Sequence, residues 1–376
     1  MIYLDYSATT PVDKGVLSTF NKVCLEYPGN SNSLHKLGMA AKELEDYATN
    51  RIKELLNLGG MDVIYTSGAS ESNNHIIKGI ASKYKNRGMH IITTYLEHSS
   101  VLETLKYLSS QGFIIDYVKI KDDGLVDLEH LKSLITNDTI LVSVCAVDSE
   151  LGIRQPVEEI SNIVKEYSKC FFHSDCTQAL GKIEIDFNLF DFVTVSAHKI
   201  YGMKGIGLIL KKKNIVFDNL IHGGSSSTVY RSGTPALPLI VSTMKAIELI
   251  MPNIKKTREY IEKLNISILN KLKEYPDIYI NSTESSLPST INISLINIKP
   301  ETFVHALDEH DIFISTKSAC SSNSAMSDSV YAVTKDRNRA MHSLRITLSH
   351  LTTMEEIEKF LEVFVECYER LNMKGK

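Results

Sequence analysis

"VTVSAHKIYGMKGIGLIL", residues 193–210, decides how this chain is read. An apolar strand over 192–195 runs into Ser196-Ala197-His198-Lys199, and a glycine-spaced turn leads to a second apolar strand over 207–210. Lys199 therefore stands at the mouth of a sheet, between a histidine and a tyrosine. A lysine there needs a partner or a depressed pKa, and depressed lysines form Schiff bases with carbonyls.

The same texture extends upstream. Short β-rich runs recur at 63–66, 90–94, 114–120, 140–146, 170–175, 192–196 and 207–210. Amphipathic segments at 70–87, 99–111, 127–135 and 157–169 separate them. Strand–helix alternation of this kind implies an α/β fold: a mostly parallel seven-stranded sheet with helices on both faces. A long helix precedes it, with Leu37, Ala40, Ala41, Leu44, Ala48, Ile52 and Leu55 on one face. After Gly233 the pattern changes. A helical stretch over 235–275 contains Pro252, which should break or kink it. Alternating strands "TINISL" and "SLRITL" follow, then a terminal helix with Ile357, Phe360, Leu361, Phe364, Tyr368 and Leu371 in its apolar stripe. This predicts a large domain over 15–250 and a smaller α+β domain made of 1–14 with 251–376.

Composition narrows the function. The 376 residues are 43% hydrophobic and 23% charged, as in an ordinary globular protein. A net charge of −4 offers no electrostatic case for nucleic acid or an anionic membrane. No apolar run reads as long enough to span a bilayer, and "MIYLDYSATTPVDKG" lacks the basic-then-apolar order of a signal peptide. The expectation is a cytoplasmic protein whose six cysteines are separate thiols. Cys170-Phe-Phe-His173-Ser-Asp-Cys176 imitates metal spacing, but on a strand His173 would point away from both cysteines. No metal is expected.

In an open α/β sheet, ligands bind at the carboxyl ends of the strands. Those ends carry an unusual set of polar groups. After 63–66 comes "SGASESNN", whose free backbone N–H groups and Ser67 and Ser70 hydroxyls would suit a phosphate. A plain helix cap, with Glu71 and Asn73 solvated, accounts for the same residues. "YLEHSS" puts His98 at a strand-to-helix junction, where a lone histidine is commonly structural. "SDCTQALGK" puts Asp175 at a buried strand end, costly to keep charged without a cation or several donors, with Gln178 three residues on. A phosphate cradle, an acid for a pyridinium nitrogen, a flat ring to stack and a Schiff-base lysine are together what pyridoxal 5'-phosphate requires. Lys199 would hold the aldehyde, with Ser196 and His198 at the phosphate.

With these residues in view, the sequence resembles the cysteine desulfurases of the NifS/IscS type, within the class V aminotransferase group of fold type I PLP enzymes. "YLDYSATTP", "GNSNSLH", "TSGASESNN", "EHSSVLETL", "DCTQALGK", "SAHKIYGMKGIG", "HGG", "YRSGT", "KSACSS" and "LRITLSH" carry the resemblance in family order. It implies that Lys199 is the Schiff-base lysine and that His98 stacks on the pyridine face and moves protons. Asp175 is then the pyridinium partner and Gln178 a donor to the ring's phenolic oxygen. Ala69, Ser70, Ser196 and His198 match phosphate positions. Thr234 matches a residue reaching the neighbouring subunit's phosphate, which implies a homodimer. Arg345 would grip the substrate carboxylate, a task suited to a planar fork.

Cys320 sits in "STKSACSSNSAMSDS", polar and without apolar periodicity, unlike the core run around Cys145. By the resemblance it attacks the sulfur of L-cysteine, leaving L-alanine and a persulfide destined for an acceptor protein of iron–sulfur cluster assembly or thiolation. A selenocysteine lyase or another lyase of the group, and a non-catalytic sulfur-relay protein, are the alternatives.

The chain also departs from the family. "VDSELG" places Asp148 and Ser149 where two asparagines are usual. Ser149 is left as a shorter cofactor-side residue, and a charged Asp148 would repel the substrate carboxylate. Lys317 replaces a common glycine. It would either favour thiolate at Cys320 or stand solvated.

Overall fold

The computed structural model describes residues 1–224, 228–316 and 326–374. Lys317 and Cys320 lie outside them. The strands are β1 (Ile2–Tyr3), β2 (Met61–Thr66), β3 (His90–Thr93), β4 (Ile114–Tyr117), β5 (Thr139–Ser143), β6 (Phe171–Asp175), β7 (Phe192–Ser196), β8 (Gly207–Lys212), β9 (Ile278–Ile280), β10 (Thr290–Leu295), β11 (Ile312–Phe313) and β12 (Ser343–Thr347). Their helices are α1 (Lys14–Glu26), α2 (Lys36–Leu55), α3 (Ala69–Tyr84), α4 (Ser99–Ser110), α5 (Leu128–Leu134), α6 (Val157–Lys165), α7 (Leu237–Ile250), α8 (Ile254–Leu272), α9 (Pro300–Asp308), α10 (Asp328–Thr334), α11 (Arg337–Met341) and α12 (Met354–Lys374).

The large sheet has seven strands in the order β2-β8-β7-β6-β5-β3-β4. From β4 to β7 the pairing is parallel, while β8 runs antiparallel to both β7 and β2. The inner strands β3, β5 and β7 are buried along their whole length, as strands covered on both faces must be. The expected strand over 114–120 ends at Tyr117, and Cys170 lies just before β6. His173 pairs its ring nitrogens with Ser143 Oγ at 2.9 Å and Thr194 Oγ1 at 3.2 Å, on the strands either side.

The antiparallel arm shapes the site. Gly207 opens β8 and pairs with both Thr66 and Ser196, the last residues of β2 and β7. A Cβ at Gly207 would lie 2.7 Å from the Cα of Gly68. Two strand ends and the start of α3 meet there because no side chain intervenes.

Besides the core that α3 and α4 form against the large sheet, with Ile76, Ile80, Val101 and Leu105, two apolar cores are separable. One packs the large sheet between its helices and also takes in Val330, Ala332, Val333 and Ala340. The other joins Ile2 and Leu4 to residues from Ile261 to Tyr368, around the sheet β12-β10-β9. The run Leu237–Leu272 corrects one expectation, since it holds an 18-residue window of mean hydropathy 1.3, apolar enough to cross a membrane by length and composition. More than half of that window (56%) is buried inside the protein, and α7 packs against α1 and α2. A 3-10 turn at Met251–Asn253, containing Pro252, separates α7 from α8, as the proline requires.

Candidate active site

Lys199 follows β7 on a single 3-10 turn, Ala197–Lys199. Residues near the N-terminus hold that turn from outside. Thr10 Oγ1 donates to the carbonyl of His198 at 2.9 Å and accepts the N–H of Tyr201 at 2.8 Å. Tyr201 itself sits at φ 62°, a left-handed conformation unusual outside glycine, with its hydroxyl 2.6 Å from Ser349 Oγ. Lys199 Nζ donates to the carbonyls of Ser7 and, at 2.7 Å, Ala8. His198 Nδ1 is 3.1 Å from Thr9 Oγ1. Burial, then the charges of Lys199 and Lys204, push the His198 pKa down to about 4, so its ring is neutral near pH 7.

Asp175 ends β6 and is well supplied with donors. Oδ1 accepts the N–H of Thr177 at 2.9 Å and Oδ2 accepts Asn73 Nδ2 at 2.8 Å. Asn73 is fully buried on α3, and its amide also donates to Ser100 Oγ at 2.8 Å. Ser100 Oγ in turn lies 2.8 Å from His98 Nδ1, which also accepts the N–H of Ser100 at 3.1 Å. With donors on Nδ1, a neutral His98 ring carries its proton on Nε2, an assignment that follows from the network. A continuous chain thus joins Asp175 to His98. The structure corrects the picture of Glu71 and Asn73 as solvated. Asn73 is interior, and Glu71 pairs with Arg231 at 3.0 Å while accepting the N–H of Ser67 at 2.7 Å.

Arg345, on β12, reaches in from the second core and is 1% exposed. Nη2 pairs with Asp5 Oδ1 at 2.8 Å, and Nη1 donates to the carbonyl of Ser149 at 2.9 Å. Gln178 Nε2 donates to the carbonyl of Ser7 at 3.0 Å, while its Oε1 accepts from Lys182 Nζ. Beneath His98, Glu97 Oε1 accepts the N–H of Cys145 at 2.7 Å, and burial pushes this carboxyl up to about 8.

One cavity of about 540 Å³ is lined by Ala69, Ser70, His98, Ser149, Asp175, Gln178, Ser196, His198, Lys199 and Arg345. Every expected site residue within the described regions is there except Thr234. It lines a neighbouring cavity of about 100 Å³ with Thr228 and Arg231, joined to the first through Ser67 and Gly205. Asp148 corrects the expected repulsion. Its carboxylate turns away from the cavity and accepts the N–H groups of Glu150 and Gly152, both at 3.1 Å, and of Leu151. Burial and Glu150 push its pKa up to about 6.

Sequence reasoning missed Asn73, Ser100, Lys182 and the main chain of residues 7 and 8. The first three lie inside quoted motifs, and Asn73 falls one turn into α3, which was the available signal.

The residues fit a flat, phosphorylated aldehyde. Gly68, at φ 154°, precedes α3 without any side-chain cap, which leaves helix-terminal N–H groups for an anion. Thr177 Oγ1 and Arg345 Nε, both in residues lining the cavity, are buried without a partner among the described residues, as atoms awaiting a ligand would be.

Comparison with known proteins agrees. The aminotransferase class-V model matches residues 2–360. Cysteine desulfurase IscS of Buchnera aphidicola subsp. Acyrthosiphon pisum is 38% identical, over 98% of this chain and 93% of its own. A solved NifS-like protein superposes with a TM-score of 0.91 at 34% identity, covering 99% of each chain. SspA, solved in complex with cysteine, does so with a TM-score of 0.81 at 30% identity, covering 94% of this chain and 100% of that one. The chain belongs to the aminotransferase class-V family, in the branch that contains the cysteine desulfurases.

Proposed function

We propose that this protein is a PLP-dependent cysteine desulfurase. L-cysteine and the Cys320 thiol become L-alanine and a Cys320 persulfide, whose outer sulfur passes to an acceptor protein. The observation that carries this reading is the convergence of Lys199, Asp175, His98 and Arg345 on one cavity. The relative solved with cysteine bound supports the substrate.

Pyridoxal phosphate, when bound, supplies an aldehyde for an amine and a ring that draws electrons from the carbon next to it. Lys199 would hold the aldehyde and Asp175 the ring nitrogen's proton, with Gln178 and Ser149 on the phenolic side. Thr177 and Asn73 donate to the two oxygens of Asp175 and fix its orientation. Ala69, Ser70, Ser196 and His198 would take the phosphate on the uncapped start of α3. Thr234 would take part in the partner subunit's phosphate site in a homodimer. Arg345 would bind the substrate carboxylate. Asp5 and the Ser149 carbonyl fix two of its nitrogens and leave Nε for a new partner. Lys199, with two carbonyls to receive its N–H groups, can take a proton and return it. His98, anchored through Nδ1, offers Nε2 for the same purpose. In the overall balance the substrate Cβ–S bond breaks, an S–S bond forms at Cys320, and Cβ takes up a proton. A cytoplasmic setting belongs to the same reading.

The test is direct. Purified protein should bind pyridoxal phosphate with a visible absorption band and form alanine from L-cysteine, with persulfide on Cys320. Absence of the band, or full sulfide release by Cys320→Ala, would sink the proposal.

A further inference from the structure

A second lysine backs the site. Lys182 lies in the turn after β6, partly buried, and its ammonium donates to Gln178 Oε1. It forms no ion pair with a carboxylate among the described residues. Two positive charges, Lys199 and Arg345, act on it. Tyr6, Tyr201, Arg258 and His350 line the narrow cavity that Lys182 shares with Lys199, and Asp5 is engaged by Arg345. Burial, then Lys199 and Arg345, push the Lys182 pKa down to about 7. Holding an ammonium against two cations without a counter-ion is unfavourable, so its placement calls for a use.

Gln178 shows what that use is. An ammonium only donates, so the amide oxygen must face Lys182; a main-chain carbonyl only accepts, so the amide nitrogen must face Ser7. The side-chain amide is thereby held in one orientation from both ends; Gln178 and Ser7 line the cavity, and Lys182 stands outside its lining.

We infer that Lys182 is a positioning residue of the cofactor site, fixing the Gln178 amide and, while protonated, setting a positive charge behind Lys199 that disfavours protonation of that nitrogen. This rests on the roles proposed above for Lys199 and Gln178. Like charges lower one another's proton affinity, so removing Lys182 lets the protonated form of the Lys199 nitrogen persist to higher pH.

The experiment is a pH titration of the visible absorption of bound pyridoxal phosphate, alongside circular dichroism, in wild type, Lys182→Met and Lys182→Arg. Methionine keeps the packing but loses donor and charge; arginine keeps both. The expected result is a midpoint raised by about one pH unit in Lys182→Met and held within about 0.3 units in Lys182→Arg. An unchanged midpoint in Lys182→Met, or an equal rise in Lys182→Arg, overturns the inference. If Lys182→Met fails to fold or to retain the cofactor, Lys182→Gln is judged by the same midpoint. A wild type without any visible band overturns the proposed function and this role with it, whereas a titrating wild type matched by Lys182→Met removes only the role of Lys182.

Discussion

The carboxyl edge of the large sheet and the N-terminal segment from Asp5 to Thr10 meet at the same cavity but contribute differently. The edge offers side chains: Asp175, Ser196, His198 and Lys199. The segment offers mainly backbone. Ser7 O receives both Lys199 and Gln178, and Ala8 O receives Lys199 again. Only Asp5, Thr9 and Thr10 reach the site's residues through side chains. The edge sets what chemistry is possible, and the segment sets where its groups are held. A carbonyl is present whatever the side chain, so the two regions should answer substitution in opposite ways.

The largest effect is expected at the edge. Lys199→Ala should lose the visible band and lower alanine formation on the order of 10³-fold; a variant that keeps its band would remove the distinction altogether. Asn73→Leu comes next. It takes one hydrogen bond from Asp175 and another from Ser100, and hydrogen bonds to charged groups contribute about 1.5–3 kcal/mol. Equilibrium dialysis of pyridoxal phosphate should show affinity down about tenfold or more.

Glu97→Gln sharpens the comparison through stability, because this edge residue serves the backbone of Cys145. Its carboxyl pKa is raised from 4.5 to about 8 on folding. The stabilisation tied to the neutral form is therefore complete below pH 4.5 and is lost as pH rises toward 8. Urea midpoints of Glu97→Gln should lack that decline, with a relative gain at pH 8.5 on the order of a few kcal/mol. Parallel wild-type and variant curves would contradict it. The smallest effect belongs to the segment: Ser7→Ala keeps the carbonyl and should leave turnover within about twofold, while a large loss would show that the serine side chain matters.

Much of the large sheet was legible in advance for a simple reason. Strands buried on both faces read as continuous apolar runs, and helices between them as amphipathic ones, so all seven strands of the sheet were placed. The antiparallel β8 was not legible, because pairing direction leaves no mark on periodicity. The strand-end residues were found because polar groups at such ends are conspicuous. Asn73 was passed over because one turn into a helix an asparagine looks solvated until the helix is laid over Asp175. Asp148 misled for the converse reason: a carboxylate in a family motif suggests the site, whereas this one closes its own turn.

The sequence by itself determined which reactive groups exist and their order along the chain: Lys199 one turn past a strand, Asp175 at the end of another, Arg345 far downstream. Only the tertiary structure decided which groups face one another. Arg345 and the Ser149 carbonyl, 196 residues apart, meet because two separate apolar cores pack so that one's edge closes over the other's. Local pattern encodes which face of an element is buried, but the meeting of distant faces follows from how whole cores exclude water.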